Sequence, residues 1–536
     1  MRTTNAIALL VASGLVLNLP AFPAAAGQGE RPPGATVEAP IGLLDAVQST
    51  LARHPLLEVQ RQQVELRRAQ KQQRSADFDT LLRLTTTHTY LNTPLTEIER
   101  SGGAVSGVSA DAIRTNDLAL IGSAHRLLRS GIAIGPTVTM NRATDSLQNL
   151  TGLNRTRVSF DVNLPLLRGR GRDVVTAPET AAEIDVQASL YDLNQEIADL
   201  ILSTATSYWQ YVASLRQLQI IAESEARGQE FVEAVTTLVQ ADKLPRSEIS
   251  QAQANLAGRA AGRMVVEQGA IEARSNLALA MGLTPEQIAE LPPPADDFPD
   301  GINQPPPALS PERVRSLIAL ALTRRADYLA AEKTREAAEV IRRSAGDRLR
   351  PQLDLTISGG YSTLREGRRP DEFFASPFSR MKGPNAVVGF HYEMPPSNNL
   401  ARGEVAEAEA SYQQSVLLKT DRARVIANGV VNARTAIVTA VNRLNRANEA
   451  VTAYQAALEG ERDKLRLGVG SIIDILTIEG RLTEALLDFV SAQQSYAQSL
   501  VQLRYAAGLL VEPGQTTQSF ERDVFFQPPP QVYAGQ

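Results

Sequence analysis

Apolar residues recur at spacings of three and four along two long stretches of the chain, which is the pattern of helices that pack along a narrow seam. The seam positions of the first stretch are Leu190, Leu193, Ile197, Leu200, Thr204, Tyr208, Tyr211, Leu215 and Leu218. Those of the second stretch are Leu482, Leu486, Phe489, Tyr496, Leu500 and Leu503. No proline lies between Pro178 and Ala241, so the first helix is predicted to extend over roughly 95 Å. A helix of that length predicts a rod or a tube.

Shorter segments between the helices alternate apolar and polar residues, which predicts strands with one apolar and one polar face. The apolar positions are Leu82, Leu84 and Tyr90, then Val158, Phe160, Val162 and Leu164, then Leu353, Leu355, Ile357 and Tyr361, and finally Val388, Phe390, Tyr392 and Met394. A soluble sheet would bury these faces in a core, but the helical seams already pack against each other. A membrane barrel uses both faces, because its apolar side meets lipid and its polar side a wet lumen. Since four strands cannot close such a barrel, they predict an oligomer.

The chain also contains an internal repeat. The matching pairs are Leu82–Tyr90 with Leu353–Tyr361, Pro165 with Pro395, Glu248 with Asp474, and Gly282 with Gly508. The offset falls from 271 residues in the first pair to 230 in the second, which places an insertion in the first half. We predict a signal peptide at residues 1–26 and a first repeat at 27–283, with the insertion at about 91–155. The elements of this repeat are a helix, two strands, a long helix and a further helix. A proline-rich connector follows at 284–310, then a second repeat at 311–510 and an irregular tail at 511–536. The insertion is expected to form an extended extracellular hairpin.

The N-terminus is typical of a secretory signal. Ala6–Leu19 is an apolar run, and Ala24–Ala26 offers a small-residue cleavage site before Gly27. A membrane anchor is the alternative, although the run is short for a helix that crosses a bilayer.

Composition and motifs favour no enzymatic chemistry. The chain has no cysteine, which excludes disulfides and thiolate metal sites, and its net charge of −5 gives no support to a nucleic-acid binder. Its four histidines lack the spacing of metal ligands, and neither a phosphate loop nor a nucleophile elbow is present. We therefore expect no catalytic residues, no cofactor and no metal.

Several stretches, in order, resemble the TolC-type outer membrane efflux protein family. Leu44–Pro55 resembles the family's first helix, and Leu164–Gly171 resembles its strand-to-helix turn. Ala321–Tyr328, together with Ala337–Glu339, resembles the start of its second repeat. Leu467–Leu476 resembles its periplasmic helical tip. The resemblance covers about residues 41–510, nearly the whole predicted mature chain.

The resemblance implies a mainly α fold with a membrane β-barrel. Long antiparallel coiled-coil helices would form a periplasmic α-barrel, and four strands from each of three chains would form one 12-stranded barrel in the outer membrane. The connector and the chain ends would build a belt around the tunnel. The homotrimer would work with a periplasmic adaptor protein and an inner-membrane transporter, as the outer channel of a tripartite efflux or type I secretion system. A non-channel coiled-coil scaffold of the cell envelope is the alternative.

The resemblance also implies a pore constriction at Asp474, where three carboxylates would surround a narrow lumen and attract cations. Thr477 occupies the position where some members carry a second aspartate. The alternative is a capping box in which Ser471 is the N-cap and Asp474 the third helical residue. The two roles can coexist.

Leu467, Gly468 and Val469 correspond to the family's docking motif for the adaptor, in which Gly468 would supply a tight turn. An ordinary helix-ending glycine is the alternative for Gly468. At the first tip Asp242 stands where a glycine would be expected. Glu248, the repeat partner of Asp474, belongs to the predicted docking set, although it also fits a helix start.

Overall fold

The computed structural model of the protein describes residues 40–105, 111–146, 152–242, 245–302, 310–379, 383–467, 469, 471–513 and 520–529. The helices are α1 (Leu43–Arg53), α2 (Pro55–Ser75), α3 (Glu97–Val105), α4 (Arg172–Val175), α5 (Ala177–Gln240), α6 (Ser247–Ala280), α7 (Pro285–Ile288), α8 (Pro311–Arg324), α9 (Ala326–Ala345), α10 (Pro370–Ala375), α11 (Asn399–Arg466), α12 (Ile472–Ala506) and α13 (Asp523–Phe526). The strands are β1 (Thr80–Pro94), β2 (Ala112–Leu127), β3 (Ala133–Asp145), β4 (Leu153–Pro165), β5 (Gln352–Glu366) and β6 (Gly383–Glu393). The predicted signal peptide at residues 1–26 lies outside the described residues. No helix in the described part of the chain is both long enough and apolar enough to cross a membrane.

The two longest helices each turn back into a shorter partner. α5 has 64 residues and α11 has 68, so each is on the order of 100 Å long. Pro178 lies in the first turn of α5, where a proline costs the helix no hydrogen bond. α5 packs along α6, and α11 packs along α12. The long antiparallel helices predicted from the seam spacing are confirmed.

Two glycines close the shorter helices of the two halves in the same way. Gly282 follows α6 with φ +71°, and Gly508 follows α12 with φ +69°. A Cβ at Gly282 would lie 2.7 Å from the Cα of His54, at the break between α1 and α2. A Cβ at Gly508 would lie 3.0 Å from the nitrogen of Arg325, at the break between α8 and α9. Both positions therefore need glycine for the turn and for the close approach. The domain boundaries themselves stay predictions.

The described strands form one antiparallel sheet in the order β1-β2-β3-β4-β5-β6. The fold class is confirmed, but the predicted count of four strands per chain is corrected to six. The inserted segment supplies β2 and β3, which pair along their length with β1 and β4 rather than extending beyond the sheet. The sequence obscures β2 because Leu118–Ile121 places apolar residues on both of its faces, which breaks the period of two.

The register places the predicted apolar residues on one side of the sheet, called here the apolar face. Neighbouring pairs on this face are Leu84 with Gly122, Leu120 with Met140, Val138 with Val158, Val162 with Ile357, and Leu355 with Phe390. The inserted strands thus continue the same two-faced pattern as the four strands predicted from the sequence.

The connector and the tail meet near the middle of α5. Trp209 is fully buried there; its ring stacks on Phe298 at 5.7 Å and contacts Phe526 edge-on at 5.5 Å. The neighbouring Tyr208 accepts a hydrogen bond at 3.1 Å from the backbone nitrogen of Asp296. These aromatic contacts hold the connector and the tail against the long helix, which is the arrangement expected for the belt.

Candidate functional site

Large side chains on the apolar face are exposed on four of the six described strands, including both edge strands. Leu84 on β1 is 73% exposed, Phe160 on β4 50%, Ile357 on β5 43% and Phe390 on β6 71%. Monomeric soluble proteins seldom expose contiguous apolar surface on this scale. A sheet with such a face is suited to contact with lipid.

The opposite face is largely polar. One row across the sheet passes through Thr85, Ile121, Thr139, Arg157 and Ser362, each paired with the next. Hydroxyl and guanidinium groups thus alternate with the apolar side chains along each strand. This face is suited to water, so the two faces together fit a wall between lipid and an aqueous lumen.

The sheet has two free edges, because β1 pairs only with β2 and β6 only with β5 among the described strands. Unpaired backbone groups are costly within a bilayer, where no water satisfies them. A sheet of this kind in a membrane must therefore pair its edges with another copy.

The turn between β2 and β3 is fixed to the helices. Arg129 donates to both carboxylate oxygens of Glu179 in α5, at 2.9 and 2.7 Å, and its guanidinium lies 4.7 Å above the ring of Phe78. Arg126 donates to the backbone oxygen of Phe78 at 3.1 Å. The hydrogen bonds from Arg129 hold the pKa of the Glu179 carboxyl below its ordinary value. The inserted hairpin is thereby held at the junction between the sheet and the helices.

At the tip between α11 and α12, Ser471 is the N-cap, as the sequence predicts. Its Oγ accepts from the backbone nitrogen of Ile473 at 3.2 Å. Asp474 lies in the first turn of α12 and is exposed. Within the described part of the chain its carboxylate makes no hydrogen bond. The pKa of Lys464 is raised, mainly by a hydrogen bond to Glu461, and the charge of Asp474 contributes to this shift. The reciprocal half of a capping box is not formed, so the carboxylate is accessible to a lumen.

A buried ionic cluster crosses four helices close to this tip. Glu479 on α12 is 4% exposed and contacts Arg259 of α6 at 3.2 Å and Arg462 of α11 at 3.1 Å. Arg259 also donates to the backbone oxygen of Ser224 in α5 at 2.8 Å. The cluster therefore ties the α5–α6 hairpin to the α11–α12 hairpin.

Sequence reasoning missed this cluster, although one signal could have revealed it. Glu479 follows Ile472 and Ile475 and precedes Leu482 at spacings of three and four, so it occupies a seam position among buried apolar residues. A charged residue at such a position requires a partner of opposite charge. The spacing alone does not identify Arg259, which is distant in sequence.

Comparison with known proteins finds outer membrane efflux proteins and channels. A model of the family "Outer membrane efflux protein" matches residues 317–509. The outer membrane protein TolC of Salmonella enteritidis is 21% identical over 370 residues, which is 69% of this chain and 70% of that protein. The outer membrane channel CmeC of Campylobacter jejuni has a TM-score of 0.64 at 15% identity, over 88% of this chain and 87% of that one. VceC of Vibrio cholerae has a TM-score of 0.61 at 17% identity, over 87% and 96%. The chain is thus similar in sequence to the outer membrane efflux protein family over residues 317–509, and similar in fold to solved outer membrane channels.

The similarity to the outer membrane efflux protein family confirms the resemblance expected from the sequence. It also places the chain in the outer membrane with a periplasmic part, as predicted. Proteins of this family are components of efflux systems that work with other pump components. The sheet and the long helices described above are the two parts that such a channel requires.

The predicted docking residues lie at the two tips. Leu467 is 79% exposed and Val469 is 77% exposed, whereas Gly468 lies outside the described residues. At the first tip Asp242 has φ +53°, so it adopts the left-handed backbone for which a glycine was expected. Glu248 lies half-buried in the first turn of α6. Docking at these positions and constriction at Asp474 stay predictions.

Proposed function

We propose that three copies of this chain form a channel through the outer membrane. The channel carries substrates from the periplasm or an inner-membrane pump to the exterior, as the outer component of a tripartite efflux or type I secretion system. The observation that carries this proposal is the two-faced sheet, whose apolar face is exposed and whose strands lead into helices long enough to cross the periplasm. A coiled-coil scaffold explains the helices, but it gives no use for an exposed apolar sheet.

The trimer follows from the free edges of β1 and β6. If β1 of one copy pairs with β6 of the next, three copies of a six-stranded sheet close a barrel of eighteen strands. Barrel diameter grows roughly in proportion to strand number, so this barrel is about one and a half times as wide as one of twelve strands. The inserted hairpin therefore widens the outer opening of the channel.

The periplasmic opening is constricted by Asp474. Its exposed carboxylate, unused by the N-cap of α12, leaves three negative charges around the axis of a trimer. Such a ring attracts cations and sets a selectivity for positively charged species. Thr477, one turn further on, adds no second ring of charge.

The tips receive a periplasmic adaptor protein, which in turn contacts the inner-membrane transporter. Leu467 and Val469 expose apolar side chains, and such side chains are suited to the core of a protein interface. Glu248 supplies a carboxylate at the corresponding point of the first tip.

Paired cysteines at the two sheet edges test this function. The chain has no native cysteine, so a protein with Thr87→Cys in β1 and Val387→Cys in β6 reports only on the contact between edges. Oxidation in outer-membrane fractions should give a ladder of bands that ends at three chains. The control pair, Thr139→Cys with Val387→Cys, should give no ladder because β3 is not an edge strand. A soluble periplasmic monomer without cross-links would favour the scaffold.

A further inference from the structure

The loop between β5 and β6 folds back onto the apolar face. Ser376 shares a hydrogen bond of 2.6 Å with Thr156 of β4, and its backbone oxygen accepts from Thr363 of β5 at 2.7 Å. Thr156 and Thr363 pair across the two strands, and they share a face with the neighbouring pair Val158 and Tyr361. The segment of residues 367–378, called here the rim segment, therefore lies on the side of the sheet that faces lipid in the proposed channel.

The rim segment lies at the end of the sheet farthest from the helices. β4 leads into the helices at Pro165, and β5 begins at Gln352, paired close to that same end. Thr363 is near the other end, where β5 finishes at Glu366. Since the helices are periplasmic, the rim segment stands at the level of the outer leaflet.

One aromatic residue anchors the rim segment, and two others project from it. Phe373 in α10 is 2% exposed and fixes the short helix against the sheet. Phe374 is 62% exposed and Phe378 is 90% exposed. Aromatic side chains that project at the edge of an apolar band are typical of the interface between lipid and water.

Positive charge surrounds these aromatic residues. Arg368 and Arg369 are exposed within the rim segment, and Arg369 lies 3.2 Å from Asp371, an ion pair exposed to solvent on both sides. Arg142 of β3 donates to the backbone oxygen of Arg369 at 3.0 Å. Arg365 pairs with Glu372. With Glu366 at the end of β5 included, four arginines lie near three carboxylates, which leaves a net charge of +1 beside exposed aromatic rings.

We propose that the rim segment binds anionic, phosphate-bearing lipids of the outer leaflet. Phe374 and Phe378 insert at the interface, while Arg368 and Arg369 donate to lipid phosphates, for which guanidinium groups have matching geometry. The lipid is favoured over a protein partner because the segment continues the apolar face of the sheet and adds cationic charge at headgroup level. This inference rests on the proposed membrane position of the sheet, and the experiment separates the two.

Tryptophan scanning of the full-length protein in vesicles locates the rim segment. The only native tryptophan, Trp209, is buried in the middle of α5 and serves as an internal reference. Phe374→Trp and Phe378→Trp should each be quenched at least twofold by lipids brominated near the headgroup. Leu364→Trp, which faces the opposite side of β5 at the same height, is the matched control and should be quenched by aqueous acrylamide instead.

Phe390→Trp separates the two claims, since it lies on the apolar face of β6. If Phe390→Trp is quenched by brominated lipid and the rim positions are not, the membrane sheet stands and the anchor is overturned. If positions 374 and 378 are shielded from both quenchers, a protein covers them, which also overturns the anchor. If Phe390→Trp is not quenched either, the membrane position of the sheet is itself wrong, and the anchor fails with it.

The arginines are tested by lipid retention after detergent extraction from vesicles of equal phosphatidylglycerol and phosphatidylcholine. The unmodified protein should retain phosphatidylglycerol preferentially. Arg368→Gln with Arg369→Gln should lower that preference at least fivefold, since one cationic side chain near an anionic surface contributes about that factor. Arg83→Gln with Arg157→Gln, which removes the same two charges from the polar face of the sheet, should leave it unchanged. An unaltered preference in the double variant would overturn the phosphate contact.

Discussion

Replacing Glu479 by glutamine removes the central charge of the ionic cluster near the tip. The carboxylate is 4% exposed and accepts from Arg259, which is 12% exposed. The substitution therefore leaves a largely buried guanidinium whose remaining partners, Ser224 and Asn255, carry no charge. Removing one partner of a buried pair costs about 3–5 kcal/mol. Arg462 is 47% exposed and can find water, and glutamine still accepts one hydrogen bond. We therefore expect Glu479→Gln to destabilise the closed tip by about 3 kcal/mol. This change raises the equilibrium constant for opening of the tip by a factor of about 150.

Hydrogen exchange on the purified channel measures this effect locally. Backbone amides around Glu479 in α12 should exchange about two orders of magnitude faster in Glu479→Gln. Amides around Trp209 should be unchanged, because that part of α5 is packed in the belt core. Glu484→Gln is the matched control, since Glu484 is exposed on the same helix and loses the same charge. If Glu479→Gln and Glu484→Gln exchange at the same rate, the cluster does not hold the two hairpins together and the reasoning is refuted.

Three further predictions concern the constriction, a helix end and a buried tyrosine. Asp474→Asn should lower the cation preference of the channel in reversal-potential measurements. The control Asp242→Asn keeps a residue tolerant of positive φ at the other tip and should leave that preference unchanged. Equal effects of the two substitutions would contradict a ring of charge at Asp474. Gly508→Ala should lower the free energy of unfolding by about 1–2 kcal/mol, and thermal unfolding should show a lower midpoint. In the control Gly480→Ala the added Cβ meets no neighbouring atom within 4 Å, so the midpoint should not fall. Burial raises the pKa of Tyr505 to about 12. The neutral phenol is therefore favoured in the folded state. Its contribution to the free energy of unfolding should be complete below pH 10 and lost as the pH rises through 12. Ultraviolet difference titration against Tyr505→Phe should show one phenol that ionises near pH 12.

The helical part of the fold is predictable because its signals are local and repeated. The seam from Leu190 to Leu218 continues through a stretch without proline, and this stretch lies within α5. The strands with strict alternation, such as Val158 to Leu164, are predictable for the same reason. β2 is not, because its consecutive apolar residues satisfy neither period, and its pairing is set by strands on either side of it.

The candidate site divides in the same way. The N-cap at Ser471 follows from motif spacing, and the candidate constriction at Asp474 from the family resemblance; the structure leaves that carboxylate accessible. The ion pair between Glu479 and Arg259 joins residues 220 positions apart, and no local pattern connects them. The rim segment is likewise defined by the contact of Ser376 with Thr156, also 220 positions away. Contacts of this kind are set by tertiary packing, so sequence periodicity carries no record of them.

Single-channel recording of the purified protein in a planar lipid bilayer tests whether the chain forms a channel. We expect discrete, long-lived current steps with a preference for cations, and larger or more frequent steps for Glu479→Gln because its tip opens more readily. Silence from both the unmodified protein and Glu479→Gln, in bilayers where insertion has been verified, would contradict a channel and leave the envelope scaffold as the function.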